Sequence, residues 1–286
     1  MTTTSSPPSS RSHPSAHAWW RSTTATTTST FRPSCDEPVT IPLLRSDLGE
    51  GLLACFTGRE LDRAAPEVGD AGNLAHRRPH RPADLAAARR EVADAIGVPT
   101  DAWHLMHQVH GPQVGIVDEA TTAGAELREV DAIVTRQAGR ALVVQVADCV
   151  PVLLGGDRAI AAVHAGRAGV ATGVLARTLE ELESLGQPVA ALSAVVGPAI
   201  GGCCYEVPER MRDELADRVP EARATTRWGT PSLDLPAAVG AQLAAAGVTE
   251  VRQLGLCTFE DERFFSHRRD AAGGRQVGIV YRGRAS

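Results

Sequence analysis

The segment from Ala141 to Leu179, ALVVQVADCVPVLLGGDRAIAAVHAGRAGVATGVLARTL, leaves few folds open to this chain. Its apolar residues fall into three short runs, Leu142 to Val146, Val150 to Leu154 and Ala159 to Val163, which predict three strands. Gly155, Gly156 and Asp157 supply a turn between the second and third. Val170, Val174, Leu175, Leu179 and Leu182 then recur at helical spacing. Strands followed by a Gly-rich loop and a helix predict an α/β fold. Two reactive side chains sit where the pattern breaks. Cys149 follows Asp148 between the first two strands, and His164 ends the third. Strand ends are where α/β sheets place their chemistry.

The whole chain narrows the function classes. Its 286 residues, 43% hydrophobic, supply a sizeable core, and one large domain is expected. A net charge of -5 argues against nucleic acid or an anionic membrane surface as partner. No apolar run approaches the ~20 residues that span a bilayer. Cys35, Cys55, Cys149, Cys203, Cys204 and Cys257 are scattered, form no dense disulfide pattern and follow no secretory signal, so a cytoplasmic location is expected. The chain contains no lysine. That removes Schiff-base chemistry, a lysine-held pyridoxal group and the Walker A loop. Any bound anion is left to arginine, histidine, backbone N–H groups or a metal.

Residues 1–41, rich in Ser, Thr and Pro, are expected to form a disordered tail, with Trp19 and Trp20 making at most a weak contact with the folded body. The catalytic domain is expected over 42–286. Leu52 to Phe56 predicts a strand. Leu85, Ala88, Val92 and Ile96 predict one face of a helix that starts at Pro82 and stops at Gly97. Trp103 to Gly111 reads as a strand, on which His104 and His110 face one way and His107 the other. Val114 to Val117, Asp131 to Thr135, Ala191 to Val196, Val251 to Leu254 and Val277 to Tyr281 predict further strands. Pro208 to Val219 and Leu235 to Ala246 predict helices.

Several residue types admit two readings. Cys149 and His164 suit zinc ligation, or a nucleophile with its base; cysteine is also a common small buried residue. Asp148 is a proton carrier or orienter, or else a turn acceptor. His164-Ala165-Gly166-Arg167 opens a helix, which favours an anion, or is a glycine loop made for tight packing. Arg268 and Arg269 follow two phenylalanines and are solvated charges unless an apolar wall holds one of them. Cys203-Cys204 is a redox pair or two reduced thiols.

Together these pieces resemble the YfiH-type family, called multicopper polyphenol oxidase (laccase-like) and also described as zinc-dependent purine nucleoside phosphorylase. The resemblance rests on Gln108-Val109-His110-Gly111, Asp131-Ala132, Ala147-Asp148-Cys149-Val150-Pro151-Val152 and Ala162-Val163-His164-Ala165-Gly166. It continues through Gly197-Pro198-Ala199-Ile200-Gly201, Tyr205-Glu206-Val207, Cys257-Thr258 and Phe265-Ser266-His267-Arg268-Arg269. It spans Leu52 to Tyr281 in the family's order.

The resemblance implies a single-domain, layered α/β/β/α sandwich. It implies one zinc on His110, Cys149 and His164, with a fourth position open for water or substrate. It implies phosphorolysis of adenosine, inosine, guanosine and methylthioadenosine, with adenosine deaminase activity, so purine nucleosides and phosphate are the expected partners. Asp148, Cys149 and Arg268 are the expected catalytic residues, and Arg59, Asn73, Arg167 and Cys257 the substrate-binding ones. The chain is expected to be a monomer or homodimer. Copper phenol oxidation is the alternative, although the nine histidines include no His-x-His pair for a copper cluster. A second alternative is a non-catalytic partner protein whose zinc is closed by a fourth ligand, for which His107 or Cys203 is the candidate. The chain departs from the family pattern after His164-Ala165-Gly166, where Arg167-Ala168 stands in place of Trp-Arg, and at Ala88-Arg89 in place of Asn-Arg.

Overall fold

The computed structural model describes residues 41–61, 66 and 68–284. Of the expected tail only Ile41 is described; Trp19, Trp20 and the rest lie outside the described residues. Ile41 is buried, and its N–H donates to Glu91 Oε1 at 2.9 Å, so it belongs to the folded body.

Two six-stranded sheets carry the structure. The first runs, in spatial order, β1 (Leu43–Ser46), β2 (Leu52–Thr57), β14 (Gln276–Arg282), β7 (Ala141–Val146), β3 (Trp103–Met106) and β5 (Glu126–Leu127). The second runs β13 (Glu250–Gln253), β10 (Ser193–Val196), β8 (Val150–Gly155), β9 (Ile160–Ala165), β6 (Ala132–Thr135) and β4 (Val114–Ile116). A two-stranded ribbon pairs β11 (Arg223–Thr225) with β12 (Pro231–Leu233). The helices are α1 (Pro82–Ile96), α2 (Arg167–Thr172), α3 (Val174–Ser184), α4 (Glu209–Ala216) and α5 (Leu235–Ala245).

Successive side chains of a strand point to opposite faces, and that alternation builds the layers. Leu142, Val144 and Val146 of β7 share one core with Leu153 of β8, Ile160 and Ala162 of β9 and Ile133 of β6; this core lies between the sheets. Ala141 and Val143 of β7 face the other way, onto Ala88, Val92, Ala93 and Ile96 of α1. Val152, Leu154, Ala161 and Val163 face Val174, Leu175, Leu179 and Leu182 of α3 and Ala238, Val239 and Leu243 of α5. The order helix, sheet, sheet, helices is the α/β/β/α sandwich. No described helix is long and apolar enough to cross a membrane.

Helix α1 runs over its expected span and ends at Gly97, which takes φ 68°. Two expectations need correction. The helix after His164 is broken: Gly173, at φ 89°, separates α2 from α3. Apolar spacing across the break stays in phase, so periodicity alone does not register it. The strand from Trp103 stops at Met106, so His104 and His110 do not share a strand face. His104 is fully buried, and its Nδ1 lies 2.9 Å from the Ala102 carbonyl.

Candidate metal centre and adjoining cavity

On β8 and β9 the antiparallel register sets Pro151 opposite His164. His164 alternates with Ala165, which faces the helices, so His164 projects toward the inter-sheet core. Cys149, just before β8, packs against the same core. The third member comes from the loop after β3. His110 holds φ 64°, a left-handed conformation costly for a residue with a side chain. Asp131 supplies the compensation. Its carboxylate accepts from the N–H groups of Val109 at 3.0 Å, His110 at 2.8 Å and Gly111 at 2.8 Å.

The same carboxylate contacts His164 Nδ1 at 2.7 Å, in a fully buried pair. One side chain therefore orients two imidazoles. His164 thereby turns its Nε2 toward Cys149 and His110, the carboxylate–histidine arrangement common around metals. His110 Nε2 lies 3.7 Å from Cys149 Sγ, and the two rings meet edge to face with centroids 4.7 Å apart. The ligand atoms of His110, Cys149 and His164 all lie within 4.8 Å of one another. Gly166 completes the cradle, because a Cβ there would stand 2.7 Å from His110 Cδ2 and 3.2 Å from Cys149 Sγ.

Charge in this cluster is mutually supporting. Burial opposes a Cys149 thiolate, but the His164 charge and hydrogen bonds from His110 and His164 outweigh it and bring the thiol down to about 6. Burial also opposes a charged His164, but the Cys149 thiolate and Asp131 push it up to about 9. Asp131 falls below the usual carboxylate range despite its burial, through His164 and the Gly111 and Val109 N–H groups. One thiolate and two imidazoles form a zinc-type donor set. Neither His107 nor Cys203 joins it as a fourth ligand.

The cluster opens into a cavity of about 270 Å3 at the end of the inter-sheet layer. Met106, Gln108 and Gln145 line it from the first-sheet side, and Arg77, Arg78, His267 and Arg275 add its charged or titratable groups. Arg78 donates to the carbonyls of Gly273 at 3.0 Å and Ala271 at 2.6 Å. Arg275 donates to those of Gly273 and Gly274, both at 2.8 Å. Burial and the Arg78 charge pull the Arg275 pKa down, a like-charge strain that an anion would relieve. Gln108 ties the loop after β3 to β7: its Nε2 donates to the Gln145 carbonyl at 2.7 Å, and the Gln145 N–H donates to its Oε1 at 2.9 Å. Gln145 Nε2 is buried without a hydrogen-bond partner.

The other expected residues are placed as follows. Asp148, at φ 83°, accepts from the Thr258 hydroxyl on Oδ1 at 2.6 Å and from the Arg268 N–H on Oδ2 at 2.6 Å. Both its oxygens are engaged, so it ties two later loops to the residue before Cys149. The Arg268 guanidinium donates to the Glu206 carbonyl at 2.9 Å and lies 5.1 Å over the Tyr205 ring. Burial, then the Cys149 charge, raise the Tyr205 pKa, against the lowering effect of the Arg167 and Arg268 charges. Arg59 stacks 5.7 Å from the Phe265 ring centre. Asn73 is buried and spends its amide on loop structure, accepting from the N–H groups of Ala75 at 3.1 Å and Arg275 at 3.0 Å and donating to Ala75 O at 3.1 Å. Arg59, Asn73, Arg167, Cys257 and Arg268 are not among the side chains lining the cavity. Cys257 belongs to a separate sulfur cluster with Cys203 and Cys204.

Sequence reading left Asp131 without a role, although its Asp-Ala pair was visible. The cavity residues Arg78, Gln145 and Arg275 carry no local signal, because each sits in an ordinary loop or strand.

Comparison with known proteins agrees with this architecture. Residues 53–283 match the family model described as multi-copper polyphenol oxidoreductase laccase. A protein of Streptomyces griseus named purine nucleoside phosphorylase is 45% identical over 204 residues, covering 70% of this chain and 82% of the relative. One of Mycobacterium tuberculosis with the same name is 46% identical over 202 residues, covering 70% and 80%. Among solved structures, YlmD from Geobacillus stearothermophilus superposes with a TM-score of 0.74 at 28% identity, covering 82% of this chain and 93% of that one. Bacillus licheniformis YfiH gives 0.72 at 28% identity, covering 80% and 92%.

Proposed function

Because the chain belongs to the YfiH-type multi-copper polyphenol oxidoreductase (laccase) family, whose curated relatives are named purine nucleoside phosphorylase, we propose that it is a zinc-dependent purine nucleoside phosphorylase. Its proposed substrates are adenosine, inosine, guanosine and methylthioadenosine with inorganic phosphate, and adenosine deamination is its proposed second activity. The observation that carries this reading is the opening of the His110–Cys149–His164 donor set into a cavity with two carbonyl-bound arginines.

In phosphorolysis a phosphate oxygen bonds to the ribose anomeric carbon as the bond from that carbon to the purine nitrogen breaks. The products are ribose 1-phosphate, or 5-methylthioribose 1-phosphate from methylthioadenosine, and the free base, which takes up a proton. Arg78 and Arg275 hold the phosphate, since their guanidinium groups hydrogen-bond carbonyls and leave their charge to an incoming anion. Gln145 Nε2 donates to an acceptor on the nucleoside, which satisfies an otherwise unpaired buried donor. His267, the cavity's titratable side chain besides the arginines and the ligand set, carries the proton to the departing base. Asp131 fixes the tautomer of His164. Asp148 positions Cys149 and the Arg268 loop, and Arg268, Tyr205 and Arg167 form the outer flank. Zinc, when held by His110, Cys149 and His164, supplies a Lewis acid toward substrate oxygen or water.

Three protein ligands, with no fourth among the described residues, suit a catalytic ion better than a structural one. They also suit one ion better than a copper cluster, and this ranks phenol oxidation second. The test is the purified protein, its metal quantified, given adenosine with and without phosphate. Adenine released only with phosphate, and inosine formed without it, are the expected products. Cys149→Ala is expected to lose the zinc and lower turnover by about 1000-fold or more. Full activity in a zinc-free Cys149→Ala protein would overturn the reading.

A further inference from the structure

A second donor cluster lies outside the centre just described. Cys203, Cys204, Cys257 and Glu260 each bring one ligand atom to within 4.8 Å of the others. The fold assembles them from two loops. Strands β10 and β13 run parallel, and an isolated bridge between Ala199 and Cys257 continues their pairing. Both chains then leave the sheet at its C-terminal end, one through Gly201 to Cys204 and the other through Cys257 to Glu260. Residues 54 apart are thus forced into contact.

The spacing fits a bound cation. Two sulfurs each about 2.3 Å from one zinc at the tetrahedral angle stand about 3.8 Å apart. Cys203 Sγ and Cys257 Sγ are 3.8 Å apart. Cys203 Sγ and Cys204 Sγ are 3.3 Å apart, so loading opens that edge by a few tenths of an ångström. The Gly201 N–H donates to Cys257 Sγ at 3.4 Å, a bond that favours thiolate. A Cβ at Gly201 would come within 3.3 Å of Cys203 Sγ. Arg227 braces the site from outside: its N–H donates to the Cys203 carbonyl at 3.0 Å, and its guanidinium holds Glu260 at 2.6 Å. The carboxylate is therefore aimed rather than free to swing.

A redox pair fits less well. A disulfide would use two of the sulfurs and leave the third and the carboxylate idle, whereas all four donor atoms lie within 4.8 Å of one another. Three sulfurs so close together, with one oxygen of a carboxylate beside them, offer the donors of a cation site. We propose that Cys203, Cys204 and Cys257, completed by Glu260, form a second metal site that takes a thiophilic d10 cation of the zinc type. Three sulfurs and a tethered carboxylate close the coordination shell, so the site is structural and pins the two loops together. It does not depend on the nucleoside reading.

The test is metal counting on the full-length protein loaded with zinc and freed of excess. Wild type is expected to hold two zinc ions per chain. Cys149→Ala and the double variant Cys203→Ser/Cys257→Ser are each expected to hold one. Cobalt(II) binding to Cys149→Ala gives a second readout that needs no variant in the new cluster. With the first centre's thiolate removed, thiolate-to-cobalt absorption is expected to remain, at an intensity of more than one sulfur. One zinc in wild type, or loss of all thiolate-to-cobalt absorption in Cys149→Ala, would overturn the site. Loss of phosphorolysis alone would not.

Discussion

The two sulfur-bearing clusters of this protein use similar atoms and stand in opposite electrostatic states. At the first, one cysteine faces two histidines, and Asp131 braces both rings through a backbone loop and a buried imidazole contact. Its thiol is drawn down to about 6. At the second, three cysteines face one another, and the Cys203 thiol is pushed up to about 11. The first has a cavity beside it, and the second has a carboxylate closing it. What cysteine does is set by its neighbours. A base-rich setting favours the thiolate and makes a ready ligand beside an open cavity, whereas burial beside other sulfurs disfavours it at Cys203.

The largest expected effect comes from removing the brace. Asp131→Ala leaves three backbone N–H groups and a buried imidazole unpartnered, and is expected to cost about 3 kcal/mol in urea unfolding and to abolish stoichiometric zinc at the first centre. A stable, zinc-loaded Asp131→Ala protein would erase the distinction between braced and unbraced clusters.

Alkylation of the metal-free protein sharpens the contrast. Cys149, its pKa lowered, is thiolate above about 6 and thiol below, so its iodoacetamide rate is expected to rise through pH 6 rather than near 9. At pH 7 it is expected to exceed Cys203 by about 100-fold, allowing for the weaker nucleophilicity of a low-pKa thiolate. Equal rates, read by peptide mass spectrometry, would break it.

Gly166→Ala crowds His110 and Cys149 without touching the second cluster, and is expected to weaken first-centre zinc about tenfold in a chelator competition. Thr258→Val is the mildest. It removes one of two hydrogen bonds to Asp148 and is expected to cost about 1 kcal/mol in thermal or urea melts. Because Thr258 follows Cys257, it also reports whether the clusters are mechanically coupled. A shift in zinc affinity at the first centre would show that they are.

Much of the fold was legible because it rests on local patterning. The runs at β7, β8 and β9 announced strands, and Leu85, Ala88, Val92 and Ile96 with Gly97 announced α1. Short edge elements such as β5, β11 and β12 escaped, since two or three residues carry no period. The break at Gly173 escaped because the apolar face runs on across it. His110 was misplaced onto a strand because its turn is held by a carboxylate 21 residues away, which no local window contains.

By itself the sequence determined the alternation of strands and helices, the absence of lysine and the positions of Cys149 and His164 at strand ends. These depend on neighbours along the chain or on counting. Tertiary structure alone decided that Asp131 serves both histidines, one through its ring and one through its backbone N–H, that Arg78, Arg275 and Gln145 share a cavity with the candidate metal ligands, and that Cys257 meets Cys203 and not that cavity. Each of these is a contact across two elements, fixed by strand register and sheet order rather than by any residue's own preference.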